Sequence, residues 1–203
     1  NIVDSVMDFG RKIGSALTAP FQQIAQGGWK RAMNIEDAKF QLQGLKVSWN
    51  SIKDDIDYGV KDTAYGLDAA ARAASQLVAS GVNVGDSMKQ ALRGISGVAA
   101  MTNSSYEEIS PIFTTIAGQG KVMTMQLRQL ENRGLNAAAK LGEALGKSEA
   151  EVRDMVTHGE IDFQTFAQAM DDAFGEHAKD ANKTFSGALS NIKIARSEER
   201  RVG

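Results

Sequence analysis

The residues best suited to chemistry stand mid-chain, in TTIAGQGKVM at positions 114–123, where two glycines precede a lysine. Such a loop binds phosphate when backbone N–H groups wrap the anion. The nucleotide motif needs Gly, four residues, then Gly-Lys-Ser/Thr, and it follows a strand. Here Thr115 stands five residues before Gly120, Val122 follows Lys121, and the preceding SPIFTTIA reads as helix. Gly118-Gln119-Gly120-Lys121 is therefore expected to be a hinge between helices.

Acid–base and metal chemistry have few candidates. The chain holds two histidines, His158 and His177, and no cysteine, which excludes disulfides and thiolate catalysis. His158 falls near an expected helix C-terminus, where a cation is favourable. Glu176-His177 and Asp171-Asp172 would suit proton transfer if they converged, but adjacent residues on a helix point in different directions. Glu143, Glu149 and Glu151 could be imagined as a peptidoglycan-cleaving acid, without any surrounding signature. KSEAEVRDMVTHGEIDFQTFAQAM has the outline of a helix-turn-helix. Its second helix, however, offers Gln164, Gln168, Asp171 and Asp172, and phosphate repels the two carboxylates. A packed helical pair is the better reading.

The elements behind these residues are helical. Ile2, Val6, Phe9, Ile13 and Leu17 form one stripe before Pro20. A short helix is expected after Asn34, with Ala38 and Leu42 on one face. Further stripes run through Trp49, Ile52, Ile56 and Val60, through Leu67 to Val78, and through Met88 to Ala99. Ser104 with Glu107, and Ser148 with Glu151, fit capping boxes. Gly81 and Gly159 stand where C-caps belong. The clearest amphipathic stripe follows Asp162: Phe163, Phe166, Met170 and Phe174. With Phe185, these are the expected core, packed against the helices bearing Val152 and Met155 and against Phe185 and Leu189. Nothing alternates for strand length, and no fixed-period repeat is present.

Composition supports a folded chain of 203 residues with 42% hydrophobic residues. Its net charge of −2 gives no footprint for nucleic acid. A spanning helix needs about 20 apolar residues, and the apolar runs are far shorter. Residue 1 is Asn, so the chain is expected to be part of a longer protein. The final RSEERRVG resembles the translated start of a common DNA-sequencing adapter, and residues 196–203 are set aside as a non-native tail.

Residues 91–195, from ALRGISGVAAMTNSSYEEIS through KTFSGALSNIKIA, resemble the tape measure domain of phage tail tape measure proteins. GGWKRAMNIEDAKFQLQGL and DTAYGLDAAARAASQLVASGV resemble the family's lead-in to that domain, so the likeness covers residues 27–195. Three motifs carry it in the family's order: Ala117-Gly118-Gln119-Gly120, Arg133-Gly134-Leu135-Asn136 and Phe174-Gly175-Glu176-His177-Ala178.

The resemblance implies a structural, non-enzymatic protein that sets tail length as a scaffold inside the tail tube and leaves the tail at infection. It implies partners: the tail tube protein, tail assembly chaperones, tip or baseplate proteins, and self-association of the full-length protein. It implies a place in the tail tube lumen of the virion, and in the host cytoplasm during assembly. It brings no catalytic, cofactor or metal-binding residues and no sequence-specific nucleic acid. Members also carry long coiled stretches and hydrophobic segments, which these residues lack. The alternative is a membrane- or cell-wall-active prophage protein whose active module lies outside these residues.

The expected architecture is all-α: a compact bundle of short helices over 62–195, with an extended N-terminal helical segment over 1–61 leading into it.

Overall fold

The computed structural model describes the backbone of residues 19–184 and the side chains from residue 27 onward. The stripe from Ile2 to Leu17, the core position Phe185 with Leu189, and the tail 196–203 lie outside the described residues.

The described fold is all-α. In chain order the helices are α1 (Ala19–Gly44), α2 (Trp49–Val60), α3 (Leu67–Ala79), α4 (Asp86–Met101) and α5 (Tyr106–Gln119). They are followed by α6 (Thr124–Glu131), α7 (Ala137–Leu145), α8 (Glu149–His158) and α9 (Phe163–Phe174). Residues 177–184 continue as helix to the end of the described stretch. Among the described residues no strand forms; a single backbone bridge joins Lys121 to Asp162.

Local chemistry starts most of these helices. Ser48, Asn136 and Asp162 each accept a hydrogen bond from a backbone N–H in the first turn of α2, α7 and α9. Ser148 and Glu151 close a reciprocal box on α8, as expected. The box on α5 is displaced by one residue. Ser105 with Glu108 caps it, at 3.2 Å and 2.7 Å, where Ser104 with Glu107 was expected. The Ser104 hydroxyl is instead engaged with Thr102, 2.9 Å away.

The core centres on α4, whose neighbours include α2, α3, α5 and α9. Small residues on both of its flanks let it come so close. Gly59 of α2 lies over Leu92, where a Cβ would come within 2.5 Å of the leucine Cβ. Ser96 ties the same crossing by donating to the Gly59 carbonyl at 2.6 Å. On the other flank, Gly94 faces the Ala167 carbonyl and Gly97 faces the Phe174 backbone. Phe166 and Met170 are fully buried, and Phe166 meets Phe113 with ring centroids 4.9 Å apart. The main neighbour of α9 is therefore α4, with α7 second. The expected partner α8, with Val152 and Met155, packs instead on α7, because only α4 offers glycines at the contact.

The N-terminal helices share this core. Ile52 and Ile56 of α2 and Leu42 of α1 are fully buried. Asn34 and Gln41 of α1 bond Asp68 and Ser75 of α3 at 3.1 Å and 2.8 Å. The division expected at 61/62 thus runs between helices that bury one another. The short helix expected after Asn34 is the C-terminal part of α1, which runs unbroken through Gly27-Gly28.

Candidate functional site

Three motif segments were singled out from sequence, and each occupies a helix joint. Ala117–Gly120 ends α5. Gly120 caps it in the left-handed conformation, φ +73°, which glycine adopts without steric cost. The chain then leaves in an extended link: Val122 N–H donates to the Ile161 carbonyl at 2.9 Å, and Phe163 N–H to the Gly120 carbonyl at 3.3 Å. Lys121 lies along Gly159 rather than over an open nest of amides; a Cβ on Gly159 would stand 2.8 Å from the lysine Nζ. A helix, not a strand, precedes the segment. It is a hinge, pinned to the start of α9.

Arg133–Asn136 joins α6 to α7. Gly134 is left-handed, φ +85°, and Leu135 N–H returns to the Leu130 carbonyl at 3.0 Å, closing the end of α6. The Leu135 side chain is buried. Asn136 does two tasks: its Oδ1 caps α7 through Ala139 N–H, and its amide donates to Glu149 of α8 at 3.0 Å. Arg133 is exposed and donates to the Gln129 carbonyl.

Phe174–Ala178 joins α9 to the helix that follows. Phe174 and Ala178 are buried, while Glu176 and His177 are exposed. Gly175 has ordinary helical torsions, φ −55°, so space rather than backbone freedom explains it. A Cβ there would stand 2.9 Å from Arg93 Nε and collide with Asp171. The first and third motifs lie at opposite ends of α9, whose 12 residues span roughly 18 Å. They do not converge on a common cleft.

The carboxylates considered for catalysis are engaged structurally. Glu151 is the reciprocal member of the Ser148 box, and hydrogen bonds from Ser148 hold its carboxyl below the usual range. Glu149 is held low by Arg153 and then Asn136. Arg153 also bridges to Glu131 at 2.6 Å, linking α8 to α6. Glu143 pairs with Lys140 at 2.9 Å. A general acid needs its pKa raised, and for Glu149 and Glu151 the shift has the opposite sign.

Asp171 and Asp172 diverge, as adjacent helical residues do. Asp172 borders an open cleft of about 440 Å³ between α7 and α9, with Lys140, Glu143, Thr165 and Gln168. Asp171 turns inward to Arg93, and burial pushes its carboxyl up to about 6 against the opposing pull of that arginine. The histidines are far apart in role. His158 ends α8 with Nδ1 2.9 Å from the Asp154 carbonyl oxygen, and His177 is exposed at the last joint. Among the described residues no group of three His, Cys, Asp or Glu side chains could hold a metal ion, and no helix is long and apolar enough to cross a membrane.

Sequence reasoning missed Arg93, the cation at the centre of the third joint. A signal existed: an arginine inside the otherwise apolar ALRGISGVAA. It also missed the buried Asp55, which accepts from Gly85 N–H at 2.6 Å and so supports the start of α4. Among the described residues, nothing covers three large apolar side chains of α1. Trp29 and Met33 are each 50% exposed, and Phe40 is 78% exposed.

Residues 26–197 match the family model described as tape measure protein. No curated protein and no solved structure matches the chain.

Proposed function

The chain belongs to the tape measure protein family, and from that membership we propose that it is a structural and assembly protein of a phage tail, acting in the determination of tail length. The match over 26–197 carries this reading. The scaffold works inside the tail tube while tube subunits polymerise around it, with assembly chaperones and tip proteins as further partners, and it leaves the tail at infection. Its stations are the host cytoplasm during assembly and the tube lumen in the virion.

The physics of the described residues refines the role. A helix converts chain length into distance at about 1.5 Å per residue only when it runs on without folding back. Here α2 to α9 have 8 to 16 residues each and turn back on one another around α4. A stretch packed this way is not a ruler counted residue by residue. It suits an assembly body joined to whatever part of the protein spans the tube. The motifs, placed at joints, keep that body's helices in register.

Tail length in the phage that encodes this chain tests the proposal. A continuous helical insert of about 70 residues ahead of residue 27 should lengthen tails by roughly 10 nm in electron micrographs. Phe166→Ala, which opens the core, should lower the yield of tails without shortening them. Normal tails of unchanged length after the insertion, or after deletion of the whole gene, would overturn the reading.

A further inference from the structure

Arg93 projects from α4 with only 13% of its side chain exposed, and it gathers groups from distant parts of the chain. Its Nη1 donates to the Tyr58 hydroxyl of α2 at 2.6 Å, and the guanidinium lies 5.2 Å from that ring's centroid. Nε stands 3.3 Å from Asp171 Oδ1 of α9, and Nη2 pairs with Glu176 beyond the end of α9. Lys179 reaches the same Glu176 oxygen at 3.2 Å. Among the described residues the Arg93 Nε–H finds no hydrogen bond, so its contact with Asp171 is an ion pair off the N–H axis. Two carboxylates therefore compete for one guanidinium.

Arg93 and Lys179 here face Asp171 and Glu176, and the adjacent Asp172, though turned to the α7–α9 cleft, adds its negative field to Asp171. The Asp171 side chain is only 16% exposed. Burial disfavours the ionised carboxyl more than Arg93 favours it. Protonating Asp171 ends the competition and leaves Arg93 to Glu176. Glu176 belongs to the turn that leads into residues 177–184.

We propose that this cluster is a proton-operated latch on the last joint: a neutral Asp171 lets Arg93 hold Glu176 and seat residues 175–184, and an ionised Asp171 draws Arg93 away and loosens them. The sign follows from burial. A carboxyl raised to about 6 binds its proton more tightly in the seated state than in the open one. The latch closes as pH falls from 7 to 5.

Several other charged groups on the packed elements have partners of their own, as do Lys183 and Asp180 within residues 177–184. Lys89 of α4 pairs with Asp55 and Asp86. Lys140 and Glu143 of α7 pair with each other beside Asp172. The charged residues of α5, Glu107 and Glu108, lie in its first turn, in a cleft shared with Arg133. His177 is an imidazole exposed at the joint itself, so it is the necessary control.

Amide hydrogen exchange of the full chain, corrected for intrinsic rates, reads the latch directly. Protection of residues 176–184 should be about tenfold greater at pH 5 than at pH 7.5, with a midpoint near 6. Asp171→Asn should keep the high protection at both pH values, and His177→Gln should leave the response intact. The proposal is overturned if the native chain shows no response, if the response survives Asp171→Asn, or if it vanishes with His177→Gln. Should Asp171→Asn fail to fold, the carboxyl carbon of Asp171 can be titrated by NMR in the native chain. A midpoint near 6 would support the latch, and one near 4 would overturn it.

Discussion

Gly97 of α4 lies directly against Phe174 of α9: a Cβ on the glycine would stand 2.8 Å from the phenylalanine Cβ and closer still to its backbone carbonyl. Real Cβ atoms do not approach backbone so closely, so Gly97→Ala must push the two helices apart. Overpacking of this kind costs about 1–3 kcal/mol. Gly118 is the control, exposed in α5 with nothing nearer than 3.9 Å. There alanine should stabilise by roughly 0.5–1 kcal/mol through helix propensity. Chemical denaturation of both variants checks the contrast.

Phe166 is fully buried between α4, α5 and the rest of α9, in contact with Phe113. Phe166→Ala should cost roughly 3–5 kcal/mol, a large part of the stability of a domain this size. A thermal melt that barely moves would mean the stripe is not the core.

The displaced cap on α5 can be resolved by two alanines. Ser105→Ala removes the acceptor for Glu108 N–H and should cost about 1 kcal/mol. Ser104→Ala loses only the hydroxyl's bonds to Thr102 and should cost clearly less. Equal or reversed effects would return the cap to Ser104.

Stability should peak in mild acid, because two sets of carboxylates shift in opposite directions. The Asp171 carboxyl is raised to about 6 from 3.8, so its contribution is fully present below 3.8 and is lost as pH rises through 6. Glu108, Glu149 and Glu151 are lowered from 4.5; they stabilise above that value, and this is lost as pH falls below it. The melting temperature should therefore rise from pH 7 to about 5 and fall on further acidification. Asp171→Asn should abolish the rise and leave the acid-side fall. A melting temperature that falls steadily from pH 7 would contradict the assignment.

We propose that one cooperative unit begins within α1, near Asn34. Cutting at 61/62 would uncover the α3 and α4 surfaces that Leu42, Ile52 and Ile56 cover. A chain starting at residue 62 should melt far lower, and less cooperatively, than one starting at residue 27. Equal melting temperatures would restore 62 as the start of the unit.

Helix chemistry was legible in the residues because it is local. Caps act within four residues, and a stripe of period 3.6 must find an apolar partner of some kind. So the all-α class, the Ser148 box and the C-terminal glycines at 81 and 159 could be read directly. The α5 cap shows where local reading ends. Ser104-Glu107 and Ser105-Glu108 are overlapping and equally good boxes. The choice rests on Tyr106, which is buried in the core with its hydroxyl donating to the Leu92 carbonyl at 2.9 Å.

Partner choice between helices was not legible. The stripe of α9 needs an apolar face, and α8 stood nearest in sequence. It packs on α4 because Gly94 and Gly97 let that helix come closest, and closeness is a property of two surfaces together. Arg93 gave the same lesson in charge. Its partners Asp171 and Glu176 lie far along the chain, and only the α4–α9 crossing brings the three ionisable groups together. Periodicity and caps, which act over a few residues, made this chain helical. Which helices touch, and which charges must share one another, followed from packing between surfaces distant in sequence.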